Sequence, residues 1–235
     1  MKTQVRGLLE GGELHVVGLL PRASNYTFLG EVRGGGGTLP VVYKPRAGET
    51  PLWDFPDGTL CYREVAAFRL AEALGWPNVP PTVLRDGPHG PGSVQLYVDA
   101  EPREHYFTLR DRRLDEFRAV AAFDVVAGNG DRKSGHCLLG TDDRIWVVDH
   151  GLCFSEHPML RTVVWDFAGE PVQAALLKDV RELETALRVG ALRGELRDLL
   201  DDEEIEATAD RARSLADAGR FPGPGPGRSL PWPAV

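Results

Sequence analysis

Short runs of β-favouring residues recur through the first hundred residues and are separated by turn residues. They lie at 14–19, 26–32, 39–44, 82–84 and 94–98. The first three predict an antiparallel meander, because the intervening segments are rich in Gly, Pro, Asn and Ser. Between the third and fourth runs, apolar residues from Tyr62 to Leu74 recur with helical spacing, and Gly75 predicts the end of that helix.

The second half of the chain has mainly helical periodicity. Residues 114–127 predict a strong helix, and 171–199 together with 203–218 predict two or more amphipathic helices. A polar loop, 128–135, and a short apolar hairpin, 136–148, lie between these helical stretches. A strand-rich portion followed by a helix-rich portion predicts an α+β fold.

This order of elements predicts two lobes and a tail. We expect an N-lobe at 1–98, with a small antiparallel sheet and one helix, and a helical C-lobe at 99–221. Residues 222–235 are rich in Pro and Gly and predict a disordered tail. The chain crosses between the lobes near 94–101, and ligands favour such junctions.

The composition narrows the class of protein. The 235 residues carry 27 Lys and Arg against 35 Asp and Glu, a formal net charge of −8. This acidic balance argues against a nonspecific nucleic-acid binder and against a constitutive contact with anionic membranes. Neither a membrane-spanning apolar stretch nor a secretory signal is predicted, so we expect a cytoplasmic protein without integral membrane association. The three widely spaced cysteines fit neither a disulfide framework nor a zinc site.

Four polar residues stand where the surrounding pattern favours apolar or unremarkable ones. They are the strand-end residue Lys44, the helical Glu64, the loop residue Asp131, and Asp149, which directly follows the hairpin. Each alone is more simply explained as a solvated side chain, a turn former or a cap. Their order, however, supplies what phosphoryl transfer needs: a lysine on the phosphates, a glutamate holding it, an aspartate for the acceptor and a carboxylate for Mg²⁺.

Three segments resemble the protein-kinase-like fold, in its phosphatidylinositol 3/4-kinase and HipA-like branch. Residues 123–136 resemble the catalytic loop of that branch, a Gly-Asn-x-Asp-Arg stretch with a metal-binding Asn five residues after the Asp. Residues 147–151 resemble its Asp-Phe-Gly segment, and 41–45 resemble the strand that carries the ATP lysine. The motif order covers about residues 14–170, and the whole chain resembles an actinobacterial family related to phosphatidylinositol kinases.

The resemblance implies ATP and Mg²⁺ as cofactors and gives each of the four polar residues a role. Lys44 would contact the α- and β-phosphates, with Glu64 as its partner. Asp131 would orient or deprotonate the acceptor, and Asp149 would hold the metal ion.

The same resemblance implies further contacts with the nucleotide. Ser24 and Asn25 lie between the first two strands, where the family has its phosphate-covering loop, although an ordinary hairpin turn explains them equally well. The crossing strand, with Gln95, Tyr97 and Val98, would offer backbone donors and acceptors to adenine.

Two positions depart from the family pattern. His136 stands where the second metal ligand is usually Asn, and imidazole suits Mn²⁺ or Zn²⁺ better than Mg²⁺. His136 could bind a softer metal, donate to phosphate or have lost the role; a weakened second-metal site is favoured because Asp149 remains. His150 replaces the usual Phe beside the metal. Asp124 either supports the loop through hydrogen bonds or acts as a cap, and Lys133 either steers an acidic substrate or is a solvated loop residue.

These features predict an ATP- and Mg²⁺-dependent phosphotransferase that moves the γ-phosphoryl group to a hydroxyl of a small molecule or a protein. A lipid acceptor is disfavoured, because the sequence has neither a basic amphipathic helix nor a polybasic run. A nucleotide-binding pseudokinase, AMP transfer on the same fold and a purely structural domain remain as alternatives.

Overall fold

The computed structural model describes residues 2–21, 25–35 and 37–234. In chain order, the elements are α1 (Lys2–Gly11), β1 (Glu13–Leu19), β2 (Phe28–Gly34), β3 (Gly37–Pro45), a 3₁₀ turn (Arg46–Gly48), α2 (Leu60–Leu74), β4 (Thr82–Gly87), β5 (Gly90–Leu96), α3 (Tyr106–Leu109), α4 (Leu114–Ala127), a second 3₁₀ turn (Ser134–His136), β6 (Cys137–Leu139), β7 (Ile145–Val147), α5 (Ala174–Val189), α6 (Ala191–Leu196) and α7 (Asp202–Ala218).

The five strands of the first half form one antiparallel sheet in the order β1–β2–β3–β5–β4. The predicted meander of β1 to β3 is confirmed. β4 and β5 meet in a tighter turn than the sequence indicates, because Gly87 pairs with Gly90 and leaves only Pro88 and His89 between the strands. β5 therefore begins at Gly90 and ends before Tyr97, where the chain leaves the sheet.

The two faces of this sheet have different partners. Residues paired across neighbouring strands share a face, and side chains alternate along each strand. Tyr43 and Val94 therefore lie on one side, in a small core that α1 covers through Leu9. Lys44 and Gln95 lie on the other side, the side from which Lys44 reaches α2.

α1 is a second helix in the strand-rich lobe, where the sequence predicts only one. It packs against the sheet through Val5, Leu8 and Leu9. Arg85 of β4 holds its carboxyl end, donating from Nη1 to the carbonyl oxygens of Leu9 and Gly12 at 2.8 Å each. Ten residues with two glycines and few apolar positions show too little periodicity to predict a helix, so its stability depends on this tertiary contact.

The helix-rich lobe holds the larger core, formed by α2 and α4 to α7 together with the β6–β7 hairpin. α4 spans 114–127 as predicted and ends at Gly128, whose φ of 62° is the left-handed conformation that stops the helix. Arg63 of α2 joins the lobes, because it is buried, pairs with Glu204 of α7 and donates to the Cys153 carbonyl at 2.7 Å. This contact fixes the helix that carries Glu64.

The Pro/Gly-rich tail packs against the helix-rich lobe, so the predicted disorder is wrong. The Ala234 carbonyl accepts the Ser134 N–H at 2.9 Å, and the Ser229 carbonyl accepts the Thr162 N–H at 3.1 Å. Trp165 Nε1 also donates to the Ser229 carbonyl, at 3.1 Å. The tail makes these contacts through backbone carbonyls, which leave no hydrophobic period in the sequence.

The α+β, two-lobed architecture agrees with the sequence-based prediction, while the lobe boundaries at residues 98 and 221 stay predictions. Within the described ranges, none of the helices combines the length and the apolar character needed to cross a bilayer.

Candidate functional site

Three charged residues from distant parts of the chain meet between the sheet and α2. Lys44 lies one residue before the end of β3, and its Nζ pairs with Glu64 Oε1 of α2. The same Nζ donates to Asp149 Oδ1 at 2.9 Å. Glu64 is only 4% exposed, whereas Lys44 is 25% and Asp149 47% exposed. The cluster is therefore anchored at its buried end and open to solvent at Asp149.

The backbone at Asp149 sets the direction of this carboxylate. Asp149 lies two residues after the short β7 strand and has a φ of 62°, in the left-handed region that non-glycine residues seldom adopt. The next residue, His150, donates its N–H to Glu64 Oε2 at 3.1 Å. Glu64 thus holds both Lys44 and the turn that carries Asp149.

Electrostatics favour the charged forms of Lys44 and Asp149. Burial would lower the pKa of Lys44, but the carboxylates of Asp149 and Glu64 outweigh it and hold that pKa above its ordinary value. The Lys44 ammonium is the main cause of a lowered pKa at Asp149, against an opposing effect of burial. Two carboxylates share one ammonium, so a net negative charge remains for a cation to neutralise.

Asp131 lies in the loop after α4, held by its neighbours. The Asn129 side-chain oxygen accepts the Asp131 N–H at 2.9 Å, and Lys133 Nζ lies 3.1 Å from Asp131 Oδ2. Burial raises the pKa of Asp131, and Lys133 opposes that shift. Lys133 therefore contacts Asp131 directly and is not simply a solvated residue.

A buried network supports the loop from below. Asp124 of α4 accepts hydrogen bonds from Asn129 Nδ2 at 2.9 Å and from Arg132 Nη2 at 2.9 Å. Arg132 also donates to the Val148 carbonyl and to His150 Nε2, both at 2.8 Å. The predicted loop-supporting role of Asp124 is confirmed, and Arg132 extends it to both residues that flank Asp149.

His136 contacts Asp149 as a hydrogen-bond donor. Its Nε2 lies 3.1 Å from Asp149 Oδ2, and its Nδ1 accepts the Lys133 N–H at 3.3 Å. Burial lowers the pKa of His136 to about 4, against the opposing charge of Asp149, so the ring is neutral near pH 7. Because Nδ1 accepts, the ring proton is assigned to Nε2, which leaves no lone pair directed at Asp149 or a metal beside it.

The residues predicted to contact the nucleotide lie in different settings. Ser24 lies outside the described residues. Asn25 uses its side-chain oxygen within the protein, where it accepts the Thr50 N–H at 2.9 Å. Tyr97 donates its backbone N–H to the Pro40 carbonyl at 2.9 Å.

Gln95 and Val98 mark the two ends of the crossing strand. The backbone of Gln95 lies in the sheet between β3 and β4, so its side chain is the part that can meet a ligand. Val98 follows Tyr97 outside the sheet. Because the Tyr97 N–H is already bonded, the predicted backbone contacts with adenine are restricted to Val98 and the carbonyls beside it.

Two supporting groups are not visible in the sequence motifs. Arg132 belongs to the predicted catalytic loop, but its bonds to Val148 and His150 depend on the tertiary fold. The tail carbonyls of Ser229 and Ala234 are equally hidden, since any residue could supply them. In the sequence, this network is indicated by the arginine directly after Asp131 in the polar loop.

The donor set fits a metal shared with a ligand better than one held by protein alone. Among the described residues, no three His, Cys, Asp or Glu side chains converge on one point. Asp149 nevertheless presents a half-exposed carboxylate, and Mg²⁺ is commonly bound by one or two carboxylates together with substrate phosphates.

Curated proteins resemble this chain in sequence. No family model matches the chain. Protein Rv2133c of Mycobacterium tuberculosis is 41% identical over 269 residues, covering 100% of this chain and 96% of that protein. Phosphatidylinositol 4-kinase gamma 4 of Oryza sativa subsp. japonica is 30% identical over 113 residues, which span 40% of this chain and 20% of that kinase.

Solved kinase structures share the fold at low sequence identity. The Golgi casein kinase with Mn/ADP bound superposes with a TM-score of 0.59 and 14% identity, over 92% of this chain and 74% of that one. The Helicobacter pylori proinflammatory kinase CtkA gives a TM-score of 0.54 and 10% identity, over 91% and 94%. The chain therefore has a protein-kinase-like fold and belongs to the same family as protein Rv2133c of Mycobacterium tuberculosis.

Proposed function

We propose that this protein is an ATP-dependent phosphotransferase that moves the γ-phosphoryl group to a hydroxyl of a small molecule or a protein. The observation that carries the proposal is the position of Lys44 between Glu64 and Asp149. A kinase needs a cation fixed on the phosphates by a helical glutamate, beside a carboxylate that can share a metal. The partial similarity to a phosphatidylinositol 4-kinase and the kinase fold support the same class.

Lys44 would bind the α- and β-phosphates of the nucleotide. Its ammonium is held by a buried carboxylate on one side and a half-exposed one on the other, so little reorganisation is needed when phosphate arrives. Glu64 would then act as a positioning residue, keeping both Lys44 and the His150 N–H in place.

Asp131 would orient the acceptor hydroxyl and take its proton. Burial raises the pKa of Asp131, which makes the carboxylate a better base than a solvated one. Lys133 holds its other side and presents a cation where an anionic acceptor or the transferring phosphate would lie.

Asp149 would hold Mg²⁺ or Mn²⁺, which neutralises charge on the phosphates when bound. His136 would orient Asp149 through its Nε2–H and would not itself ligate the ion, because its ring proton points at the carboxylate. With His136 in this role, the second metal site predicted from the sequence would be weakened.

The proposal is tested by measuring label transfer from γ-labelled and α-labelled ATP, to water and to the protein itself, with Mg²⁺ or Mn²⁺. Lys44→Met should lower γ-phosphoryl transfer by about a hundredfold or more, as expected when a pre-positioned charge is removed from the reacting group. Lys178→Met is the matched control, because Lys178 is exposed on α5 and, among the described residues, pairs only with Glu182, at 3.4 Å. Full activity of Lys44→Met would refute the proposal.

Lys44→Arg is the sharper variant. A planar guanidinium is broader than an ammonium and would have to fit between the two carboxylates that now hold a point charge. We expect it to lower activity as well; wild-type activity in Lys44→Arg would show that the compact ammonium is not needed.

The arrangement of His136 favours a nucleotide-binding pseudokinase as the second candidate. With Nε2–H committed to Asp149, the metal site has one protein ligand fewer than a two-metal kinase would use, because the family has Asn at this position. Tight, metal-dependent ATP binding in isothermal titration without release of the γ-phosphate would support this candidate. Transfer of the α-label would instead indicate AMP transfer.

A further inference from the structure

The Pro/Gly-rich tail is held against the polar loop that follows α4. Thr162 forms a bridge with Arg132 of that loop and donates its own N–H to the Ser229 carbonyl of the tail at 3.1 Å. Five residues further along the tail, the Ala234 carbonyl accepts the N–H of Ser134, at the end of the loop, at 2.9 Å. The tail is therefore fixed beside the loop at two points and is part of the surroundings of the acceptor aspartate.

Arg228, the residue before Ser229, brings a cation to this place. Burial raises the pKa of Asp131, and the charges of Lys133 and Arg228 oppose that shift, so both cations lie within electrostatic reach of the carboxylate. Lys133 Nζ is 3.1 Å from Asp131 Oδ2. Two cations thus accompany one carboxylate, which leaves an excess of positive charge around Asp131 in a chain whose net charge is −8.

The guanidinium of Arg228 has donors to spare. Arg228 is exposed, and its Nε donates to the Leu230 carbonyl at 3.1 Å, which ties the side chain to the tail. Within the described ranges, its two Nη atoms donate to no acceptor, and no carboxylate pairs with the guanidinium. A guanidinium with a free fork binds phosphate or carboxylate through two parallel hydrogen bonds.

We propose that Arg228 binds an anionic group of the acceptor, so that the site takes a hydroxyl compound that also carries a phosphate or a carboxylate. The acceptor hydroxyl would face Asp131, and its anionic group would lie against the tail. This inference rests on the proposed function, since it names the class of acceptor for the same site. A neutral acceptor would leave the excess positive charge around Asp131 uncompensated, so the site discriminates against it.

The test uses inorganic phosphate and acetate as probes of this subsite. The protein is first saturated with Mg²⁺ and AMP-PNP, an ATP analogue whose γ-phosphate is not readily transferred, so that the phosphates of the nucleotide fill the site at Lys44. Each anion is then titrated calorimetrically at constant ionic strength, because salt screens exposed charges. Saturable binding of phosphate alone supports a phosphorylated acceptor, and saturable binding of both anions supports a carboxylate as well. Binding of neither anion would overturn the inference.

Two variants identify the residue that holds the anion. Arg228→Met removes the guanidinium from an exposed position and should weaken phosphate binding about tenfold, the effect of losing a charge-assisted hydrogen bond. Arg144→Met is the matched control, because the side chain of Arg144 is 62% exposed beside β7, and it should bind phosphate as the wild-type protein does. Thermal melts of both variants check that the fold is kept.

The outcomes separate this inference from the proposed function. Equal phosphate affinity of Arg228→Met and the wild-type protein would overturn the inference while leaving the nucleotide site in place. Weaker binding of AMP-PNP to Arg228→Met, with phosphate affinity unchanged, would also overturn it, because Arg228 would then contact the nucleotide and not the acceptor. Failure of the wild-type protein to bind AMP-PNP with Mg²⁺ would refute the proposed function and this inference together.

Discussion

Two clusters of opposite charges are joined through the residues that flank Asp149, and they differ in what they leave free. The Asp124–Arg132 pair is fully buried, and every donor direction used by Arg132 meets Asp124, the Val148 carbonyl or His150. The Lys44–Glu64–Asp149 cluster is buried only at Glu64.

This difference in burial separates a pair that supports the structure from a cluster that can bind a ligand. A buried ion pair with all hydrogen bonds made cannot take a ligand without breaking, so Asp124 and Arg132 fix geometry. A cluster with excess negative charge and a half-exposed carboxylate can accept a cation or exchange a partner for phosphate. Asp149 differs from Asp124 in its exposure. Its two oxygens accept from Lys44 and His136, yet the carboxylate stays open to a further ligand, whereas Asp124 is fully buried.

The comparison predicts a large loss of stability when a residue of the buried pair is replaced and a small one when Asp149 is replaced. Arg132→Met leaves the carboxylate of Asp124 buried and unpaired, so the free energy of unfolding should fall by about 3–5 kcal/mol in urea denaturation. Asp149→Asn leaves Lys44 paired with Glu64 and should change it by less than about 1 kcal/mol, although metal-dependent nucleotide binding should be lost.

An exposed arginine provides the control for that measurement. Arg144 pairs with Asp142 on the surface, at 3.7 Å, and Arg144→Met should be neutral within about 0.5 kcal/mol. Equal destabilisation by Arg132→Met and Asp149→Asn would contradict the division between supporting and reacting charges.

A smaller effect tests how far the supporting region extends. Thr162 donates its hydroxyl to Asp124 Oδ2 at 3.3 Å and its N–H to the tail carbonyl of Ser229 at 3.1 Å. Deletion of residues 228–235 should therefore lower the free energy of unfolding by about 1–3 kcal/mol, because buried backbone donors lose their acceptors.

Trp232→Ala is the matched control for the tail, since Trp232 is 78% exposed and should contribute little. If the deletion leaves the urea midpoint unchanged, the tail does not belong to the supporting region.

The smallest effect concerns the exclusion of water from the region around the Asp124–Arg132 pair. Burial raises the pKa of the Cys137 thiol to about 12 and that of Cys153 well above its usual range, although Arg132 lies close enough to favour both thiolates. The unfolded chain releases these protons near pH 8.5 and the folded chain keeps them, so stability is full below that pH and falls above it. We expect these two thiols to account for a loss of about 1 kcal/mol between pH 8 and pH 9.

Urea denaturation across this pH range measures the loss, and Cys153→Ala should show a shallower slope. Rapid reaction of the native protein with a thiol reagent at pH 8 would contradict it, because water and reagent would then reach the region around Arg132.

The sequence predicts well those parts whose signal is local. β1 to β3, α2 and α4 have periodic apolar residues and glycine ends, and Lys44, Glu64 and Asp149 follow from motif order. α1 is missed because its few apolar residues form a helical face only when packed on the sheet. The contacts of the tail are missed because backbone carbonyls make them. The donor role of His136 needs the Lys133 N–H and Asp149 on opposite sides of the ring, which spacing alone does not show.

The left-handed backbone at Asp149 limits which residues can replace this carboxylate. At a φ of 62°, asparagine and glycine fit with little strain, whereas alanine adds about 1–2 kcal/mol of backbone cost to the loss of charge. Lys44 lies in an ordinary strand, where many residues are tolerated by the backbone. Under the proposed function, relatives without phosphoryl transfer are expected to vary freely at Lys44 and to carry asparagine or glycine at Asp149.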